Sequence, residues 1–289
     1  MKQIGEIFKD LRKGKGISLE TLASNGISSS QLSKFENGTS DLTFNKLQQA
    51  LDGIGITLQE FEYAINQYDT NSVSYLIRQV EKLVREDNAT ALHQLLENIN
   101  EKECKKITIL STIYVKSAIN KVDSSYELTK KEINELSDYL FSIEEWTYFD
   151  LCLYEMAIEN LSSELVENLS KELLSKAALY YNIQKNKEKI NGILLNTFVK
   201  FTIKKDVNRA VYFRAILRSY LEMDNDAYSK LIFMLMNGLL TILADKEEEG
   251  KKEINTVLTT FHTLEFFKTY DKYLRICNEF TNNMVNFHI

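Results

Sequence analysis

The sequence predicts an all-α protein, on three observations. Its 289 residues contain no proline, the residue that sheet edges and turns use and that helix interiors exclude. Apolar residues recur at three- and four-residue spacing along most of the chain, which is the helical period. The breaks between these periodic segments are short and polar, as between antiparallel helical neighbours. The finer expectation is a five-helix head at residues 1–65, a linker at 66–72 and a long series of helix pairs at 73–289. Such a series without strands makes a bundle or an α-solenoid, and the length favours the solenoid.

Within the head, Ile4, Ile7, Phe8 and Leu11 give the first helix one apolar face. Lys9, Arg12 and Lys13 are read onto its other face, and Gly14 and Gly16 stop it. Residues 16–38, GISLETLASNGISSSQLSKFENG, read as two short helices joined by a tight turn, a helix-turn-helix. Ser18 caps the first of them. Asn25 and Gly26 tolerate the positive φ of the turn, and Ser28 caps the second. Gln31 stands three residues after Ser28, the capping-box spacing, so its amide is expected to turn back to the Ser28 N–H. Leu32 and Phe35 should face inward, leaving Ser29, Ser30, Ser33 and Lys34 to meet a DNA groove. Phe44, Leu47 and Leu51 make a fourth helix, and Leu58 with Phe61 opens a fifth. The polar segment Asn66 to Ser72 lacks apolar period and reads as the linker.

From Val73 onward helices are expected near 73–86, 89–98, 102–120, 129–142, 145–160, 162–180, 186–204, 206–221, 225–244, 247–261 and 263–285. Asn120, Asn160, Asn196 and Asn237 recur 40, 36 and 41 residues apart, each near the end of the first helix of a pair. Such amides can stand in a row along a groove and pair with the N–H and C=O of an extended peptide. With 24 asparagines in the chain, composition alone also produces such spacing. The aromatic-rich end, with Phe261, Phe266, Phe267, Tyr270, Tyr273 and Leu274, offers apolar surface for dimerisation or for capping the stack.

Charge does not announce a nucleic-acid partner, because the chain carries −6. Any affinity for DNA has to come from local arrangement, and Lys9, Arg12, Lys13, Lys15 and Lys34 supply it. Cys104, Cys152 and Cys277 are odd in number and set in apolar segments, which reads as reduced, packed thiols in a cytoplasmic protein. No segment is long and apolar enough to span a membrane. An enzyme is not expected, since His93, His262 and His288 have no partner at a recognisable spacing. His93 and Glu97 share a helical face but make two ligands at most, so no metal and no cofactor are expected. Arg209, Tyr212, Arg214 and Arg218 cluster as either an anion site or an ion-paired face.

Two blocks resemble a known family. Ser28 to Phe61, SSSQLSKFENGTSDLTFNKLQQALDGIGITLQEF, is similar to the DNA-binding domain of Rgg-type (Rgg/GadR/MutR) transcription regulators. Tyr139 to Tyr154, YLFSIEEWTYFDLCLY, resembles the segment around the tryptophan of their repeat domain. The resemblance implies a helix-turn-helix joined to a tetratricopeptide-like solenoid, in a cytoplasmic homodimer that binds double-stranded DNA at an inverted-repeat operator and senses a short signalling peptide in its concave groove. It places Ser29, Ser30 and Lys34 on the base-reading side, with Arg12, Ser28 and Asn37 near phosphates. Asn196 and Asn237 match groove-side polar positions. Glu159 stands where some members are basic, which disfavours an acidic peptide, and Trp146 has the family's place but reads as core. The competing class is a helical-repeat adaptor whose head has lost DNA binding.

Overall fold

The computed structural model describes residues 3–23, 26–66, 72–99, 104–177, 179–222, 225–282 and 287. The described residues hold sixteen α-helices and no strand. The first six are α1 (Ile4–Gly14), α2 (Leu19–Leu22), α3 (Ser29–Glu36), α4 (Phe44–Gly53), α5 (Leu58–Asn66) and α6 (Val73–Arg85). They are followed by α7 (Ala89–Glu97), α8 (Lys105–Val122), α9 (Lys130–Ser142), α10 (Tyr148–Ala157) with a 3-10 turn at Ile158–Asn160, and α11 (Ser163–Lys176). The last five are α12 (Gln184–Ile203), α13 (Val207–Glu222), α14 (Ala227–Leu243), α15 (Glu247–Thr263) and α16 (Phe267–Phe280). The chain divides into two compact units, Met1–Lys82 and Leu83–Ile289. That division falls inside α6, not in the polar stretch 66–72, of which 67–71 lie outside the described residues.

The first unit is organised around Phe8, whose buried ring packs against Phe35 at 5.7 Å and edge-on to Phe61 at 6.4 Å. Ile27, Leu32, Ala50 and Leu51 complete a core with no more than 1% exposure. Burial on this scale stabilises by about 25 cal/mol per Å² of apolar surface removed from water. Gly5 lets α1 lie directly on the end of α3, because a Cβ there would run into the Phe35 carbonyl.

In the second unit, alternate helices stack into a ladder: α8 packs on α10, α10 on α12 and α12 on α14. The helices between them form a second layer, with α9 touching both α8 and α11, α11 touching α12, and α13 touching α12 and α14. Buried side chains fill the space between layers, among them Tyr114, Trp146, Tyr154, Phe198, Phe201 and Phe213. Tyr154 donates its hydroxyl to the Val166 carbonyl at 2.9 Å and shares a buried hydroxyl chain with Ser170 and Thr197. α14 and α15 meet backbone to backbone at Gly238 and Gly250, each facing the carbonyl of the other.

Helices α6, α12, α14 and α15 end where the sequence offers no glycine. Asp87, Lys205, Asp245 and Glu265 adopt φ between 51° and 59°. In each case the next N–H closes back on the preceding helix, as Phe266 does on the Phe261 carbonyl at 2.9 Å. The helix expected at 263–285 is therefore broken at Glu265 and runs from Phe267 to Phe280. The helix expected at 162–180 ends at Lys176, with Ala177 at its cap.

Candidate nucleic-acid interface and ligand groove

The helix-turn-helix is set by its caps. Ser18 Oγ accepts the Thr21 N–H at 3.0 Å, which starts α2. Gly26 turns the chain at φ 83°, while Asn25 lies outside the described residues. Ser28 Oγ accepts the Gln31 N–H at 3.1 Å, and the Ser28 N–H donates to Gln31 Oε1 at 3.4 Å, the reciprocal box its spacing predicts. Lys46 Nζ also donates to Gln31 Oε1 at 3.3 Å, so this amide is committed within the head. With Leu32 and Phe35 buried, the outer side of α3 shows Ser30 and Lys34 exposed, and Ser29 and Ser33 half-buried. First-turn N–H groups without an intrahelical carbonyl, as at any helix N-terminus, suit a phosphate oxygen.

Arg12 is not on that surface. It is 5% exposed, and its guanidinium forks onto Glu36, Nε to Oε1 at 2.6 Å and Nη2 to Oε2 at 2.8 Å. Nη1 donates to the Ile17 carbonyl at 2.5 Å. Gly5, Phe8 and Arg12 repeat at helical spacing on the face that packs on α3, which places Arg12 inside and opposite Glu36, itself 2% exposed. The signal was in the sequence, since Arg12 stands four residues after Phe8 and Glu36 four after Leu32. The pair locks α1 to α3 and so aims the recognition helix. Lys9, read as exposed, is half-buried and donates to Asn37 Oδ1 at 3.0 Å. Lys13, Lys15 and Lys34 remain as exposed cations of the head.

In the second unit the four asparagines do not form one row of available amides. Asn120 Nδ2 donates to the Tyr126 carbonyl at 2.8 Å, which ties the α8–α9 turn. Asn160 Oδ1 accepts the Leu128 N–H at 3.4 Å, and its Nδ2 is buried without a partner among the described residues. Asn237 bridges α13 and α15, accepting from Arg214 Nη1 at 3.1 Å and donating to Glu253 Oε2 at 2.9 Å. Only Asn196 of the four is half-buried with no side-chain hydrogen bond among the described residues.

Asn196 sits on the side of α12 that the second layer leaves uncovered. Thr197 faces α11 through Ser170, Phe201 faces α13 through Phe213, and Phe198 faces α14 through Phe233. The remaining stripe carries Glu188, Gly192, Asn196, Val199 and Ile203, half-buried or exposed. Glu155 of α10 reaches onto it, its Oε2 accepting from Lys189 Nζ at 2.8 Å. Lys189 also lies 5.9 Å from the Tyr148 ring centroid. At the foot of α10, Lys200 is 5% exposed and donates to the carbonyls of Ile158 at 2.6 Å and Glu159 at 3.3 Å. Burial pulls its pKa below the ordinary lysine value. Two hollows lie elsewhere: about 610 Å³ beside Lys252, Asn255 and Thr256 of α15, and about 390 Å³ between Ile109 of α8 and Tyr139 of α9.

Residues 91–275 match the C-terminal domain of the HTH-type transcriptional regulator Rgg, and residues 8–61 match the helix-turn-helix family. The chain belongs to the Rgg family. Among solved structures it is similar to the Streptococcus dysgalactiae SHP pheromone receptor Rgg2, at 25% identity and TM-score 0.81, over 96% of this chain and 99% of that one. A structure from Listeria monocytogenes EGD-e matches at 16% identity and TM-score 0.81, over 97% of both chains. The PrgX/cCF10 complex matches at 15% identity and TM-score 0.68, over 95% of this chain and 98% of that one. These last two show the shared all-helical fold.

Rgg family members are transcription regulators, and the other candidate motifs of this one have structural explanations. Trp146 is fully buried, edge-on to Tyr154 at 5.4 Å, and its backbone N–H reaches the Lys176 carbonyl at 3.1 Å. His93 packs edge-on to Tyr126 at 5.4 Å, and no three metal-ligating side chains gather among the described residues. Arg209 is ion-paired with Glu167 and Asp206, Arg214 donates to Asn237, and Arg218, exposed, lies 5.9 Å from the Phe233 ring centroid. Cys152 and Cys277 are packed, burial pushing the Cys277 thiol up to about 12, whereas Cys104 is exposed at the head of α8. No helix among the described residues is long and apolar enough to cross a membrane. Of the aromatic C-terminal set, Phe261 and Tyr273 are core, Tyr270 and Leu274 are half-buried, and Phe266 and Phe267 are 46% and 52% exposed.

Proposed function

We propose that this Rgg family member is a peptide-responsive transcription regulator, cytoplasmic and homodimeric, in which residues 1–65 bind DNA and residues 73–289 bind a short peptide and dimerise. Ser28, Ser29, Ser30, Lys34, Lys13 and Asn37 meet the DNA, with Ser29, Ser30 and Lys34 at base edges and Ser28, Lys13 and Asn37 at phosphates. The observation that carries the reading is a recognition helix capped at Ser28 and held by Arg12–Glu36, in a chain whose helical ladder leaves a mixed polar and apolar stripe of α12 around Asn196 only partly covered. Support for the ligand class comes from relatives, since the S. dysgalactiae protein is called a pheromone receptor and PrgX was solved as a complex with cCF10.

One recognition helix reads too few base pairs for useful specificity, so a dimer should protect two symmetric half-sites about one helical turn apart. The test is a gel shift at two salt concentrations with DNA from beside the gene, followed by footprinting. Lys34→Ala should cost about 1–3 kcal/mol and relax preference at one position per half-site if Lys34 pairs a guanine. Uniform weakening on all sequences would make Lys34 a phosphate contact, and no shift at low salt would favour the adaptor.

A further inference from the structure

On the recognition helix, Gln31 is held by its oxygen and not by its nitrogen. Oε1 accepts the Ser28 N–H at 3.4 Å and Lys46 Nζ at 3.3 Å, while Nε2 has no partner among the described residues and the side chain is exposed. A carboxamide whose oxygen is spent offers donors only. Bidentate reading of adenine needs an acceptor as well as a donor, so this amide is turned away from that use. The same hydrogen bond brings a cation to the site. Lys46, half-buried on α4, enters no ion pair among the described residues, and its ammonium meets a neutral oxygen with donors to spare. A half-buried charge in that position is better satisfied by an anion. The helix period gives the direction. With Leu32 and Phe35 inside and Ser30 and Lys34 outside, Gln31 stands on the flank of α3, on the side from which α4 sends Lys46. An α-helix with its side chains is about 10–12 Å across and the major groove about 12 Å wide, so a recognition helix shows its outer side to base edges and its flanks to the phosphate walls.

We propose, resting on the DNA-binding reading above, that Gln31 Nε2 and Lys46 Nζ together hold one DNA phosphate at the rim of the groove. Lys46 acts twice there, as a charge for the phosphate and as the donor that keeps the Gln31 amide turned with its nitrogen outward. The contact fixes the register of α3 on the duplex and carries no base preference of its own.

The test uses the full chain and the DNA fragment that it protects in footprinting. Single phosphates of that fragment are neutralised by ethylation, and the positions that block binding are mapped for the parent and its variants. Lys46→Gln should lower the slope of log K against log salt by about one per protomer, and one phosphate per half-site whose ethylation blocks the parent should cease to matter. Lys46→Arg should restore both. Gln31→Glu keeps an acceptor for the Ser28 N–H and for Lys46, so its melt should be no lower than the parent's. It presents a carboxylate where the donors were, and should weaken binding roughly tenfold to a hundredfold, the range for a hydrogen bond to a charged group. A Gln31 that only caps α3 gives the opposite result, a complex as tight as the parent's. If Lys46→Gln does not fold, Gln31→Glu reads the same phosphate. An unaltered salt slope and ethylation pattern in Lys46→Gln, or parental affinity in Gln31→Glu, overturns the phosphate contact while leaving DNA binding standing. A parent chain that shifts no DNA at low salt overturns both.

Discussion

Removing Arg12 should unfold the head and not merely weaken its hold on DNA. Arg12 and Glu36 are 5% and 2% exposed and joined by two hydrogen bonds. Arg12→Ala strands a carboxylate in the core between α1 and α3. Breaking a buried pair from one side costs about 3–5 kcal/mol. The first unit, at roughly 0.05–0.15 kcal/mol per residue, holds on the order of 4–12 kcal/mol. The single variant should therefore lose much or all of the head's cooperative melt, followed by circular dichroism of the full chain. The double variant Arg12→Met with Glu36→Leu replaces the pair by apolar side chains of similar size, an exchange that is often neutral or stabilising. It should recover the melt and bind DNA within about threefold of the parent, because neither side chain reaches the surface. Lys13→Ala, at an exposed position, should leave the melt unchanged and lower the salt dependence of DNA binding by about one counterion. If Arg12→Ala keeps the parental melt and loses DNA affinity, or if the double variant folds yet fails to bind, Arg12 touches DNA and the reasoning from burial is wrong.

Gly238→Ala should destabilise the second unit by about 1–3 kcal/mol or more, because the methyl meets the Gly250 carbonyl, which is backbone and cannot swing aside, as well as the Ile254 side chain; a melting temperature equal to the parent's would mean that α14 and α15 separate without cost. Glu265→Gly should raise stability by about 0.5–1 kcal/mol by relieving a left-handed residue at φ 59°, as read by denaturant midpoint. Phe266→Glu with Phe267→Glu should shift the chain toward monomer in sedimentation equilibrium, and a dimer of undiminished strength would move the interface elsewhere. Acid should loosen the α8–α9 pair. Burial opposes ionisation of Glu132, but hydrogen bonds from Lys116 and Thr129 outweigh it and hold the carboxyl below its ordinary value. A folded value below the unfolded one means the contribution is complete above about pH 4.5 and is lost as pH falls through the folded value. Thermal melts from pH 7 to pH 3 should fall less steeply for Glu132→Gln.

Helix existence, the turn of the helix-turn-helix, the caps at Ser18 and Ser28 and the inward Leu32 and Phe35 were legible in the sequence because each depends on neighbours within one or two turns. Local hydrogen bonds and the helical period are sequence-near quantities, and Gln31 shows it, its amide folding back three residues as the spacing requires. The spacing from Phe8 and Leu32 marks the inner face for Arg12 and Glu36, but their pairing, and the partners of Asn120, Asn160 and Asn237, were settled by tertiary structure. A charged side chain reads as exposed until a partner of opposite sign arrives on another helix, 24 residues away for Arg12. An amide recurring about every 40 residues reads as a column until the second layer takes it up, as Arg214 and Glu253 take Asn237. The ends of helices at Asp87, Lys205, Asp245 and Glu265 were illegible for a related reason. Non-glycine residues accept the left-handed region only when the packing of flanking helices repays its strain, and that repayment comes from contacts no local pattern records. The Glu155–Lys189 pair is of the same kind, since only the stacking of α10 on α12 brings that carboxylate over Gly192.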